Sequence, residues 1–229
     1  FSLMYSSVKK ILLENENYCT GFIAKSGEII MFENKIKITP EAIEKWHLEF
    51  DIEMKETMKK MTQIVLLQTS TNLEKVLTKF PIQIVCLVFE IIFTSNVKKQ
   101  LHQLESNFLE NKKEIFHDFL QNYLLSITKD ISMTFELFKK TKIKHISSFL
   151  LTLLNHRDLL SKMIRNKVDS STDPLWYSFT KFVINSKESN DFTVSVQIGP
   201  ISYDYGFEYT GVQRPIIKFR WRRKRLTEL

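Results

Sequence analysis

Residues 39–67 read TPEAIEKWHLEFDIEMKETMKKMTQIVLL, and this stretch decides the fold class. Thr39 offers a capping hydroxyl, Pro40 stands where a missing N–H costs nothing, and Glu41 and Glu44 complement a helix dipole, so a helix starts here. From Ile43 the side chains of Trp46, Phe50, Met54, Met58, Met61 and Val65 recur at spacings of three and four, which makes one continuous apolar face. At ~1.5 Å per residue, Pro40 to Leu67 is a rod of ~40 Å. The face can serve as core or, through its methionines, as an adaptable groove; Trp46, Phe50, Met54 and Met58 are expected to share a buried seam.

Working outward, no glycine lies between Gly27 and Gly199 and no proline between Pro81 and Pro174, so the interior lacks the residues that interrupt helices. Pro81 opens a helix over Ile82 to Phe93, apolar on nearly every side. A second periodic face runs through Val97, Leu101, Leu104 and Phe108 and resumes at Ile115, Phe119 and Tyr123. Lys129 to Lys139 and Ile143 to Val168 read as further helices, followed by a polar break at Asp169 to Asp173. On the N-terminal side, Lys25 to Glu28 form a turn before a short strand over Ile29 to Phe32. After Pro174 a helix is expected to about Ile184, then strands over Phe192 to Ile198 and Ile201 to Tyr209. The class is mainly α: an elongated bundle of long antiparallel helices with a small C-terminal β-hairpin. A two-stranded hairpin alone is marginal in water, so residues 192–217 are expected to be the least protected ordered part.

Composition bounds the chemistry. The chain has 229 residues, 43% hydrophobic and 26% charged, enough apolar material for a core. The net charge is +7, but Lys218 to Leu229 hold six bases and one acid, which leaves the body near +2. Any polyanion contact therefore belongs to that tail, where two aromatics interleave the bases. Cys19 and Cys86 stand alone in apolar stretches, so neither a disulfide framework nor a Cys-rich metal site follows. The window Ile82 to Phe93 is too short to span a bilayer, and no membrane partner is expected. There is no Walker A loop, no HExxH, no GxSxG and no CxxC; His47, His102, His117, His145 and His156 are scattered. No catalytic, cofactor-binding or metal-ligating residue is nominated. The start at Phe1 suggests a piece of a longer protein, and the abrupt change of composition at Lys218 suggests an artificial or alternatively spliced end.

One succession of segments is recognisable. Lys25-Ser26-Gly27-Glu28 before an apolar run is similar to S-x-E-G-E, Ile43-Glu44-Lys45-Trp46 to V-E-x-W, and Phe80-Pro81-Ile82-Gln83 to W-P-x-Q. Glu90 to Thr94 is similar to Q-I-x-W-T, His156-Arg157-Asp158 to H-x-R-D, and Tyr205-Gly206-Phe207-Glu208-Tyr209-Thr210-Gly211 to Y-G-Y-E-Y-x-G. In this order and spacing the chain resembles dynein heavy chains, in the C-terminal part of the linker that leads into the first AAA+ module. The resemblance implies a dynein-linker-like helical region over 1–168, a helix and hairpin at the start of that module over 169–217, and a non-homologous basic tail over 218–229. It implies a mechanical lever rather than a catalyst, with Gly27, Glu28, Trp46, Pro81, Gln83, His156, Arg157, Asp158, Tyr205, Gly206, Glu208, Tyr209 and Gly211 as structural motif residues.

Further implications concern setting. The lever would work against the AAA+ ring of the same heavy chain, with other dynein chains and microtubules as partners of the parent. ATP would be bound by the parent and no cofactor by this segment. The place would be the cytoskeleton of the cytoplasm, and Phe93 where tryptophan is usual points to a divergent, axonemal heavy chain of a cilium. After Ile217 the family's adenine loop and Walker A do not follow. Gly206 is expected to permit a backbone shape a Cβ would forbid, and Glu208 to face away from Phe207 and Tyr209. The rival reading is an autonomous helical scaffold whose basic tail binds nucleic acid or another polyanion.

Overall fold

The computed structural model describes residues 5–15, 17–39, 42–68, 73–106, 111–141, 145–187 and 191–211. Within them the chain opens as an antiparallel meander, β1 (Val8–Glu14), β2 (Tyr18–Ala24) and β3 (Ile29–Lys37). Five helices follow: α1 (Ile43–Gln68), α2 (Leu73–Lys79), α3 (Ile82–Ser106), α4 (Lys112–Thr141) and α5 (Ile146–Arg165). The short α6 (Pro174–Tyr177) then leads into a second antiparallel meander, β4 (Lys181–Lys187), β5 (Asp191–Ile198) and β6 (Ile201–Asp204). The mainly α class stands.

The expected long helix is present as α1; Pro40, Glu41 and the tail from Val212 onward lie outside the described residues. Phe50, Met54, Met58 and Val65 are buried, so the methionine stripe is core. The seam starts later than its periodicity suggests, because Ile43 is 56% exposed and Trp46 only half-buried. At that seam, Phe50 meets Tyr5, Phe22 and Phe32 at ring separations of 5.0, 5.8 and 5.2 Å, which joins the first sheet to α1. Edge-to-face pairs of this kind add to the burial of each ring.

Helix α3 is the hub. The apolar window and the Val97 to Leu104 face, read as separate, form one helix, and α1, α2, α4, α5 and β4 all contact it. Its first half, Ile82 to Phe93, is apolar on nearly every side and has no solvent face to offer, so neighbours must surround it. Lys129 to Lys139 is likewise the end of α4, whose inward residues are Phe116, Leu120, Ile127 and Leu137 rather than the exposed Ile115. Two expectations fail at the C-terminal end. The helix after Pro174 stops at Tyr177 instead of running to Ile184, since Phe182 and Val183 pair with Val196 and Ser195 as β4. The hairpin is a three-stranded sheet, and residues 205–211 leave it to pack on the body.

Candidate functional site

Local chemistry places the first half of the site. The turn between β2 and β3 bonds Gly27 N–H to Ala24 O at 3.0 Å, with Gly27 at φ 93°, and leaves Glu28 pointing toward the start of α3. Pro81 precedes that helix and leaves the first N–H groups without intrahelical partners. Glu28 supplies one: its Oε1 accepts the Ile82 N–H at 2.7 Å. Its Oε2 accepts the Tyr209 hydroxyl at 2.7 Å and the Ser26 hydroxyl at 2.8 Å. One carboxylate therefore ties together a sheet turn, a helix N-terminus and the terminal segment, in the place where negative charge suits the helix dipole. Burial and the Glu28 charge both push the Tyr209 hydroxyl above its ordinary pKa.

Gln83, one residue into α3, supplies the second half. Its Nε2 donates to Glu208 O at 2.7 Å and to the Tyr205 hydroxyl at 3.2 Å, while its Oε1 accepts the Thr210 N–H at 2.9 Å. Donating to residue 208 and accepting from residue 210 is what a neighbouring strand does, so this side-chain amide stands in for a peptide group. The Ser7 hydroxyl donates to Thr210 O on the other flank. Lys55 Nζ reaches the Glu208 carboxylate at 3.3 Å and Asp51 at 2.7 Å. Tyr209 and Phe207 are buried and Glu208 is exposed, as the alternation predicts.

Gly206 does not adopt a left-handed backbone, and a Cβ there would meet only Glu208, at 3.8 Å; Phe207 takes the left-handed turn instead, at φ 53°. The demanding position is Gly211, at φ 76°, where a Cβ would sit 3.0 Å from Ser7 Cβ and Oγ.

Two turns further along α3 lies a second meeting of motif residues. His156 Nε2 is 2.9 Å from Glu90 Oε2, and its ring stacks on Phe93 at 3.9 Å between centroids and 3° between planes. Thr94 Oγ1 accepts the Phe182 N–H at 3.2 Å, which ties β4 to the same helix. Arg157 and Asp158 are not drawn in; they bond each other at the surface, at 2.8 Å. Trp46 joins neither cluster and lies against His47. An open groove of about 900 Å³ runs from Gln83 past Cys86 to Glu90 and is closed by Tyr205, Phe207 and Phe182. Burial pushes the Cys86 thiol up to about 12, which disfavours a thiolate there. Among the described residues no three His, Cys, Asp or Glu side chains are grouped to hold a metal, and no helix is long and apolar enough to cross a membrane. Sequence reasoning missed Ser7 and Lys55, whose roles arise only when distant segments meet, and it quoted Ser26 and Thr210 within their motifs without giving either a role.

No protein-family model matches the chain. Among curated proteins it is 23% identical over 226 residues to a cytoplasmic dynein heavy chain of Paramecium tetraurelia, covering 95% of this chain. It is 25% identical over 224 residues to the human cytoplasmic dynein 2 heavy chain 1, covering 92%, and 21% identical over 233 residues to dynein heavy chain-like protein 1 of Plasmodium falciparum, covering 94%. The chain spans about 5% of the length of these relatives.

Proposed function

We propose that this chain, related to dynein heavy chains along nearly its whole length, is the ring-proximal part of the linker of a microtubule motor. The reading rests above all on the joint at Glu28 and Gln83, which fastens residues 205–211 to the start of the central helix. A lever must pass force to the next module without slack, and a segment bonded to the central helix through Gln83 and to the N-terminal sheet through Ser7 and Glu28 meets that need. Motif residues far apart in sequence, Glu28, Gln83 and Tyr205 to Gly211, share one structural task in this reading. ATP is bound and hydrolysed by other parts of the heavy chain, and the ring of that chain is the immediate partner. No residue of this segment is catalytic and no cofactor binds to it.

The setting is the cytoskeleton. An axonemal motor is proposed on the divergence of the motifs, with Phe93 where tryptophan is usual; the named relatives include cytoplasmic forms. Tagging the chromosomal locus tests both levels. The tagged polypeptide should pellet with microtubules, leave them on addition of ATP, and localise to cilia. A product that ignores microtubules and is retained on nucleic acid is the rival scaffold, and a cytoplasmic distribution removes the axonemal assignment alone.

A further inference from the structure

On the side of α3 away from the joint, a groove of about 510 Å³ opens between the end of α1, the middle of α3 and β4. Its floor is apolar, formed by Leu66, Ile92, Val183 and Ile184, and Lys98 and Lys99 stand exposed on its rim. Neither lysine has a carboxylate partner among the described residues. Helix α3 carries two acids, and both are engaged elsewhere: Glu90 by His156, and Glu105 by the Ser171 N–H at 2.7 Å. A third cation, Lys181, precedes the lining residue Phe182, its Nζ donates to the Tyr177 and Phe179 carbonyls, and burial and Lys98 both lower its pKa. Positive charge thus accumulates beside apolar surface with no paired carboxylate among the described residues.

The groove wall is also a strand edge. Among the described residues β4 pairs with β5 on one side only. Phe182 turns its N–H away from β5 toward Thr94, and in an antiparallel ladder residue 184 must turn its N–H and C=O the same way. Thr94 occupies the first of these edge positions and nothing among the described residues occupies the second.

We infer that this groove binds an acidic, strand-forming segment of a partner polypeptide, which adds to the edge of β4 at Ile184, sets apolar side chains on the floor and sets carboxylates on Lys98 and Lys99. Main-chain bonds supply affinity in such additions, and the charged rim selects the partner.

The test uses the purified full chain and a fluorescein-labelled heptapeptide, Glu-Val-Glu-Ile-Glu-Val-Glu, followed by anisotropy. Saturable binding is expected, weakened about fivefold or more when Lys98→Gln and Lys99→Gln are combined, because each exposed pair contributes modestly. The peptide should slow hydrogen exchange of the Ile184 amide. Both lysines are exposed, so their replacement leaves the fold intact. The inference is overturned by absence of saturable binding, by equal binding of the peptide with lysine for glutamate, by an unchanged constant in the double variant, or by protection that spares β4. Sedimentation showing that the chain dimerises through this face, with the double variant monomeric, would assign the groove to a second copy and overturn it too.

Discussion

The joint at Gln83 and a second seam, where His156 of α5 meets Glu90 and Phe93, sit about 10 Å apart along α3, yet they hold the molecule by different means. At the joint, side chains read backbone: Gln83 pairs with residues 208 and 210, and Glu28 takes an N–H of α3. At the seam, rings fill volume: Phe93 is 1% exposed, lies flat on His156 and meets Tyr123 at 5.7 Å. Directional bonds fix where a segment lies, whereas packed rings fix how much energy separates folded from open forms. The seam should therefore govern global stability and the joint local order.

The largest effect is expected at the seam. Phe93→Ala should cost ~3 to 5 kcal/mol in urea unfolding, as large-to-small changes of buried aromatics do. A loss below ~1 kcal/mol would mean that the seam relaxes around the void and that volume is not what it supplies. At the joint, Gln83→Leu should cost less, ~1 to 3 kcal/mol, because some of the freed groups reach water. Its signature is faster exchange of the Thr210 amide with helices α4 and α5 unchanged. If that amide stays protected, Tyr209 and Phe207 alone hold the segment and the contrast collapses.

An alkaline titration separates the two regions by a third route. Burial raises the pKa of Tyr123 at the seam to about 12 and raises those of Tyr205 and Tyr209 at the joint. In the unfolded chain a tyrosine loses its proton near pH 10. Above that point the unfolded state holds fewer protons than the folded one, so stability is intact below pH 10 and falls as pH rises toward the folded values. Tyr209→Phe should flatten the joint's share of the decline without altering stability at pH 7 by much more than ~1 kcal/mol. An identical alkaline profile in this variant would show that Tyr209 ionises as freely folded as unfolded. The smallest effect belongs to Glu208→Gln, which loses an exposed pair with Lys55 and should change stability by under ~1 kcal/mol. A larger loss would make the joint electrostatic rather than backbone-directed.

What the sequence yielded tracks how local each signal is. α1 was readable because three- and four-residue spacing needs no knowledge of its neighbours; the failure at Ile43 came from counting an apolar residue on a first turn that none of the described residues covers. The N-terminal meander was largely missed, and its registers explain why. Shifts between Val8 and Lys10, between Leu12 and Leu13 and between Cys19 and Gly21 break the two-residue alternation by which a strand is recognised. Residues 174–184 read as helix since their apolar positions suit both periods, and only pairing with β5 decides between them. The joint's residues could be named from the resemblance. Its partners could not, because Glu28 and Tyr209 are 181 positions apart and Gln83 and Thr210 are 127.

The stand-in peptide at Gln83 has a mechanical consequence. Residues 205–211 are gripped across their width, by Gln83 on one flank and by Ser7 and Glu28 on others. A pull along the segment loads all these bonds together, in shear, so that none breaks before its neighbours share the strain. A pull that lifts Gly211 outward peels them singly, beginning at Thr210. The same few bonds thus resist far more in one direction than in the other, and the fastening is stiff under axial tension yet can be undone from its end.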